Sequence, residues 1–373
     1  MKKRVVIIGC GFGGLAAAQK LSRFKKDIDL AVIDKKQSFD FLPLLPDVIG
    51  RGIKPKRLSC SIIDLSQIYG FEFINDEVKR VSLENNIIYT LNREITFDFL
   101  IIASGTETNF YGNENIKKQA YKLDDVTDAV RIYQEIEMND FDSYIISGAG
   151  YTGIEIATNL RAYFDNKSKV KEVIIVEKVG TLLGPLPEWM KGYVRVNLEK
   201  LGIGVFLNTT IAKIEEQRVV LSDGKIFNNA MLIWAAGVKC PDYVINLDTD
   251  KTPQGRLIVD EYLRISRNCF VIGDSANFLD QDKPLRMAVQ FSIMQGVCAA
   301  SNIVRSNKNR QLKRYRPLDF GYIIPMANNK ACGKVLGFNI RGLAGILLHY
   351  FMCIYRSVSF RNQMGIVGDL IIK

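Results

Sequence analysis

The chain has 373 residues, 47% of them hydrophobic and 24% charged, an ordinary globular composition that excludes disordered, collagen-like and coiled-coil chains. At roughly 150 residues per domain, the length sets an expectation of two to three domains. Its 50 Lys and Arg against 40 Asp and Glu leave a charge of +10, which permits nucleic acid, anionic lipid or anionic cofactors as partners without choosing among them.

Val5-Val6-Ile7-Ile8 is a short β-branched apolar run, as expected of a parallel strand covered on both faces. It is too short for the apolar core of a signal peptide, so export is not expected. The run leads into Gly9-Cys10-Gly11-Phe12-Gly13-Gly14 and a helix-prone stretch, Leu15 to Leu21. Gly9, Gly11 and Gly14 fit G-x-G-x-x-G in its strand-to-helix setting. Gly9 allows the tight turn, Gly11 lets a pyrophosphate approach the backbone, and Gly14 lets helix and strand pack closely. The helix N-terminus adds free N–H groups and a positive dipole end. A second strand, Leu30 to Ile33, ends at Asp34, about 20 residues beyond the last glycine, where a carboxylate binds ribose hydroxyls. Phe12, Gly13 and Lys35 join these residues as candidate dinucleotide contacts.

The same unit recurs. Ser143-Tyr-Ile-Ile146 leads into Ser147-Gly148-Ala149-Gly150-Tyr151-Thr152-Gly153, and Val173 to Val176 ends at Glu177. Gly148, Gly150, Tyr151, Thr152, Gly153 and Glu177 are therefore candidates for a second dinucleotide. An enzyme that holds two passes a hydride between them, because a flavin accepts two electrons and releases them to a different partner. Glu177 would bond a free 2′-hydroxyl and repel a 2′-phosphate, which favours NADH over NADPH; Lys178 weakens that preference slightly. Glu155 is expected in the first turn of the second helix. It reads either as a charge favoured by the helix dipole or as a carboxylate near the reacting rings.

From Arg305 the composition turns basic, with Lys308, Arg310, Lys313, Arg314 and Arg316. Between Arg341 and Arg356 lies an apolar run of about 13 residues, short of the roughly 20 needed to span a bilayer. Its flanking arginines with Tyr350, Phe351 and Tyr355 suit a helix lying in the headgroup region; a core or dimer helix is the alternative. The seven cysteines, an odd number without a CxxC pair, and the single His349 argue against a disulfide framework and a metal centre and fit a reducing compartment.

Phe99 to Gly105 and Leu232 to Val238 resemble the segments that close each nucleotide domain in two-dinucleotide flavoprotein reductases. Phe270-Val-Ile-Gly273-Asp274 resembles their late G-D motif. The resemblance implies FAD on the first fingerprint, with Ala103, Gly105, Gly273 and Asp274 around it, and a nicotinamide on the second, with Ala236 and Gly237. The superfamily's redox cysteines follow the first acidic residue, but no cysteine lies between Cys10 and Cys60; hydride is expected to leave for an external acceptor.

Phe39-Asp-Phe-Leu-Pro43-Leu-Leu is similar to the F-x-P-L-L segment of type II NADH:quinone oxidoreductases. Gly105-Thr-Glu-Thr-Asn-Phe-Tyr-Gly112 is similar to their G-S-x-T-N-[FY]-F-G segment, and Pro284 to Gly296 to A-Q-x-A-x-Q-Q-G. Val289, Ser292 and Met294 depart from that last pattern, whereas Gln290 and Gln295 keep it. The resemblance implies an α/β fold with two Rossmann-like domains: residues 1–111 and 250–325 for FAD, 112–249 for NADH, and a helical membrane-anchoring segment over 326–373. It also implies hydride transfer from NADH to FAD and onward to a membrane quinone without ion pumping. Glu155, Gln290 and Gln295 are the expected catalytic residues, and Pro43, Val289 and Gln290 lie beside the flavin. The expected location is peripheral, on the cytoplasmic face of the membrane, with no nucleic-acid partner and homodimer formation left open. Sulfide:quinone oxidoreductase, with Cys240 and Cys332 as candidate persulfide carriers, and an NADH-binding redox sensor are the competing readings.

Overall fold

The computed structural model describes residues 2–371. The helices that position functional residues are α1 (Phe12–Leu21), α2 (Leu45–Gly50), α3 (Tyr151–Asn166), α4 (Val289–Asn307), α5 (Gly342–Arg356) and α6 (Phe360–Ile371). The chain forms two compact units. The first holds the chain up to Phe39, Cys60–Glu107 and Val238–Asp319; the second holds Asp40–Ser59, Thr108–Gly237 and the chain from Phe320 onward. The expected division fell at 111/112, 249/250 and 325/326. By compactness, both the stretch around Pro43 and the tail group with the second fingerprint.

The first unit is built on a parallel sheet in the order Cys269–Val271, Phe99–Ile102, Lys3–Ile8, Ile28–Asp34, Glu72–Asn75. Val5 to Ile8 are buried, as the unbroken apolar run requires of a central parallel strand. Strand order diverges at this first strand, with one neighbour on each side, and the crevice at its carboxyl end is where such sheets bind ligands. Gly9 begins there.

The second unit repeats the arrangement with Gly204–Phe206, Glu172–Val176, Ser143–Ser147 and Ala230–Trp234, all parallel. Side chains alternate between its faces. Tyr144, Ile146, Val173 and Ile175 enter one apolar cluster, while Ile145, Ile174 and Val176 enter another. The α/β class with two Rossmann-like sheets is as the sequence implied.

The tail differs from its expectation. Helix begins only at Gly342. Before it, Gly321–Met326, Lys330–Val335 and Phe338–Arg341 form an antiparallel sheet. Its second turn, Leu336-Gly337, has positive φ at both residues (49° and 89°), the geometry of a primed two-residue hairpin. Leucine there hides the turn from a search for Asn-Gly. α5 packs on this sheet at Gly345, where an added Cβ would lie 2.9 Å from Ala331 Cβ. It buries Ile346, Tyr350 and Cys353 and exposes Leu343, Leu347, Phe351 and Tyr355. No helix among the described residues is long and apolar enough to cross a membrane.

Candidate active site

The two fingerprints share one geometry. Gly9 and Gly148 have φ of +98° and +108°; a Cβ there would lie 2.5 Å from Ala103 O and 2.7 Å from Ala235 O, respectively. At the third glycines the crowding is worse. A Cβ on Gly14 would stand 1.9 Å from Gly9 O, and one on Gly153 1.9 Å from Gly148 O. At the middle glycines, Gly11 and Gly150, an added Cβ would meet nothing within 4 Å. That open space is what a pyrophosphate needs to reach the backbone. α1 and α3 start at Gly11 and Gly150 without a side-chain cap and without an acidic residue in the first turn, so both helix ends suit an anion. The cradles therefore fit a dinucleotide each.

The two carboxylates also act alike. Asp34 accepts from Cys10 N (2.7 Å) and Lys36 N (2.9 Å), and Glu177 from Ala149 N (2.7 Å) and Val179 N (3.0 Å). Each side chain ties its strand end to the glycine loop. Burial raises the Asp34 carboxyl, while those backbone donors oppose the shift. Around the first cradle, Phe12 packs edge-on against Phe39 (5.1 Å), and Lys35 Nζ lies 4.0 Å from Glu107. A Cβ on Gly13 would lie 3.1 Å from Ser292 O, and one on Gly296 2.3 Å from Gly13 O. The glycines at both places let α4 cross α1 closely.

The late motif is held by residues that sequence patterns did not single out. Arg256, 7% exposed, donates from Nε to Asp274 O (3.1 Å) and from Nη2 to Ala276 O (2.6 Å). Its charge lowers the Asp274 carboxyl that burial raises. Ser275 Oγ donates to Gly105 O (3.0 Å). Gln295 is buried, and its Oε1 accepts from Gly273 N (2.6 Å), so its amide fixes the Gly273-Asp274 turn. Val289 opens α4. Gln290, also buried, donates to Asp319 Oδ1 (3.1 Å), and Asp319 is paired with Arg286 (2.7 Å from Nη2). Asp319 and Arg256 lie outside the motifs they serve, and neither stands in a pattern that marks it in the sequence.

In the second unit, Pro43 sits in the short turn Leu42–Leu44 just before α2. Tyr151, the first residue of α3, stacks on Tyr322 (6.1 Å, 20° between planes). Thr152 is exposed beside it, and Gly237 (φ +80°) follows Ala236 at the end of the sheet. Glu155 is not in the first turn of α3 but one residue beyond it, which removes the dipole reading and leaves a partly buried carboxyl in need of another explanation. Burial, and then Asp47, hold Glu155 well above the usual carboxylate range. Asp47, 4% exposed, accepts from Tyr350 Oη (2.6 Å) and lies 3.4 Å from Arg51 Nε. His349, on the same α5, is lowered to about 4 by burial and by Arg51. It is neutral near pH 7. Cys240 and Cys332 are fully buried, and burial pushes both thiols up to about 12, the reverse of what a persulfide carrier needs.

Known proteins resemble the chain throughout its length. A probable NADH dehydrogenase of Dictyostelium discoideum is 25% identical over 98% of this chain and 88% of its own. A type II NADH:quinone oxidoreductase of Staphylococcus aureus is 24% identical over 91% of this chain and 92% of its own. Among solved structures, NDH2 from Plasmodium falciparum in complex with NADH has a TM-score of 0.86 at 16% identity, covering 100% of this chain and 98% of that one. The family model for pyridine nucleotide-disulphide oxidoreductases matches residues 3–301. Two glycine cradles of one design, each closed by its own carboxylate, lie within that match, and the chain belongs to the pyridine nucleotide-disulphide oxidoreductase family.

Proposed function

We propose that the protein is an FAD-dependent type II NADH:quinone oxidoreductase, which converts NADH, a proton and a quinone into NAD⁺ and a quinol without moving ions across the membrane. The duplicated cradle carries this reading, and the similarity to relatives of that name supports it. FAD, held by the first unit, supplies a ring that accepts a hydride and passes on both electrons. Gly9, Gly11, Gly13, Gly14 and the N-terminus of α1 receive its pyrophosphate. Asp34 bonds the adenosine ribose, and Asp274 the ribityl chain. Phe12, Lys35, Ala103, Gly105, Gly273 and Val289 border it. Gln295 holds the Gly273-Asp274 turn through its amide oxygen, which leaves its amide N–H groups for the acceptor side. Gln290, held by Asp319, is the residue assigned to the acceptor side.

The second cradle binds NADH. Gly148, Gly150, Tyr151, Thr152 and Gly153 receive its phosphates, Ala236 and Gly237 border the nicotinamide half, and Glu177 selects NADH by bonding the 2′-hydroxyl. Glu155, whose carboxyl is raised by burial and by Asp47, is assigned to give the quinone one of the two protons it needs. The exposed row Leu343, Leu347, Phe351 and Tyr355, flanked by Arg341 and Arg356, seats α5 in the headgroup region of the cytoplasmic leaflet, where a lipid-soluble quinone is supplied.

One measurement tests the reading. The purified flavoprotein is mixed anaerobically with NADH, NADPH or sulfide in a stopped-flow instrument, and then with a short-chain quinone. Rapid bleaching by NADH and recovery of the yellow colour with quinone are expected. Bleaching by sulfide alone, or no recovery, contradicts the proposal.

A further inference from the structure

Glu155 does not face solvent alone. α2 carries Asp47, with Arg51 just beyond its end, and it approaches α3 so closely at Gly50 that a Cβ there would lie 2.3 Å from Asn159 O. Asp47 precedes Gly50 by about a turn, as Glu155 precedes Asn159. That helix crossing and the Asp47–Tyr350 bond bring α2, α3 and α5 together, and the charges of Asp47 and Glu155 both bear on the Cys353 thiol of α5. α5 supplies the remaining neighbours. Tyr350 Oη bonds Asp47, and His349 Nε2 lies 3.6 Å from Cys353 Sγ. The Arg51 guanidinium lies 5.2 Å from the Tyr350 ring, while its Nη2 donates to Ala327 O (2.9 Å) and Met326 O (3.3 Å) and its Nη1 to Asn329 Oδ1 (3.1 Å). On the near side of α3, Tyr151 and Tyr322 are stacked together.

We propose that Asp47, held by Tyr350 and Arg51, is a positioning residue that keeps Glu155 in its proton-bearing form, so that α5 acts on the proton donor through Asp47. Two carboxyls in one buried place cannot both ionise cheaply. A charge-assisted bond from Tyr350 and the nearby guanidinium settle which one does. Asp47 has both; Glu155 has neither as a side-chain partner among the hydrogen bonds and ion pairs described, and it retains the proton. This rests on the reading of Glu155 as the donor to quinone.

The test uses the full-length holoenzyme and two independent readouts. Infrared spectra recorded against pH follow the protonated-carboxyl band that Glu155→Gln removes, and stopped-flow mixing with quinone follows the acceptor step across the same pH range. Asp47→Asn should lower the midpoint of that band by about one pH unit or more, with the alkaline limb of the acceptor step moving with it and flavin reduction by NADH unchanged. Tyr350→Phe removes only a hydroxyl, keeps the packing, and should move the midpoint the same way by less. Cys353→Ala, which deletes a neutral neighbour, should leave it in place. If neither Asp47→Asn nor Tyr350→Phe moves the band, or if the wild-type band titrates in the ordinary carboxyl range, the positioning role is overturned. If Glu155→Gln leaves the acceptor step at the parental rate, the donor reading fails instead, and the band shift still decides what Asp47 does to Glu155.

Discussion

Gly150 and Gly153 are three residues apart in one motif, yet their surroundings differ in kind. Alanine at Gly153 would drive a Cβ to 1.9 Å from Gly148 O, against backbone that cannot give way. Gly153→Ala should cost about 1–3 kcal/mol or more of stability, read as a lower midpoint in chemical denaturation. Alanine at Gly150 meets no protein atom within 4 Å, and the backbone there, at φ −76°, accepts a side chain. Gly150→Ala should leave thermal unfolding unchanged and raise KM for NADH, because the methyl occupies space meant for the pyrophosphate. Equal effects of the two substitutions on stability would refute this division of labour. Glu177→Gln keeps an oxygen for the Ala149 N–H but loses the charge that repels a 2′-phosphate. The preference for NADH over NADPH in kcat/KM should fall by roughly 10-fold or more, in line with about 1.5–3 kcal/mol for a charged hydrogen bond.

At the scale of elements, α5 is two-faced, with Ile346, Tyr350 and Cys353 turned inward and Leu347 and Phe351 outward. Replacing both Leu347 and Phe351 by Glu should abolish sedimentation with anionic vesicles while changing folding stability by no more than about 0.5 kcal/mol, as expected of surface positions. Retained vesicle binding would assign membrane attachment elsewhere. The sequence shows this helix and both glycine cradles because each is a local pattern, complete within some 15 to 30 residues. It does not show the sheet before α5, whose turn rests on Leu336 at positive φ, a residue type that rarely accepts it. Nor does it show the partners of Gln295, Gln290 and Asp47. The motif identifies the amides as important, but Gly273 and Asp319 reach them, and Tyr350 reaches Asp47, only when segments apart in sequence pack together.

At the scale of the whole molecule, two of the shifted groups pull stability in opposite directions with pH. Glu155 holds its proton more tightly when folded than when unfolded, since its carboxyl is raised. Above the unfolded value of about 4.3 the unfolded chain sheds this proton first, so stability from this group falls as pH rises towards the folded value. His349 is the reverse. Its folded value is lowered to about 4, so below about 6.5 the unfolded chain takes up a proton that the folded chain refuses, and stability falls as pH drops from there to about 4. His349→Gln should flatten the acid side of a stability-versus-pH curve and Glu155→Gln the neutral side. An unchanged acid slope in the histidine variant would place its ring in water. Compactness is the feature least visible beforehand. Residues 40–59 leave the first fingerprint's unit and join the tail in the second, and no composition shift marks either crossing.

One helix, α5, thus carries exposed apolar side chains on its outer surface and, on its inner one, the hydroxyl that anchors Asp47. Solubilisation then becomes a chemical intervention. On the proposed reading, detergent that loosens or tilts this helix should alter the acidity of Glu155, and the pH optimum for quinol formation should differ between micelles and proteoliposomes even when hydride uptake from NADH does not.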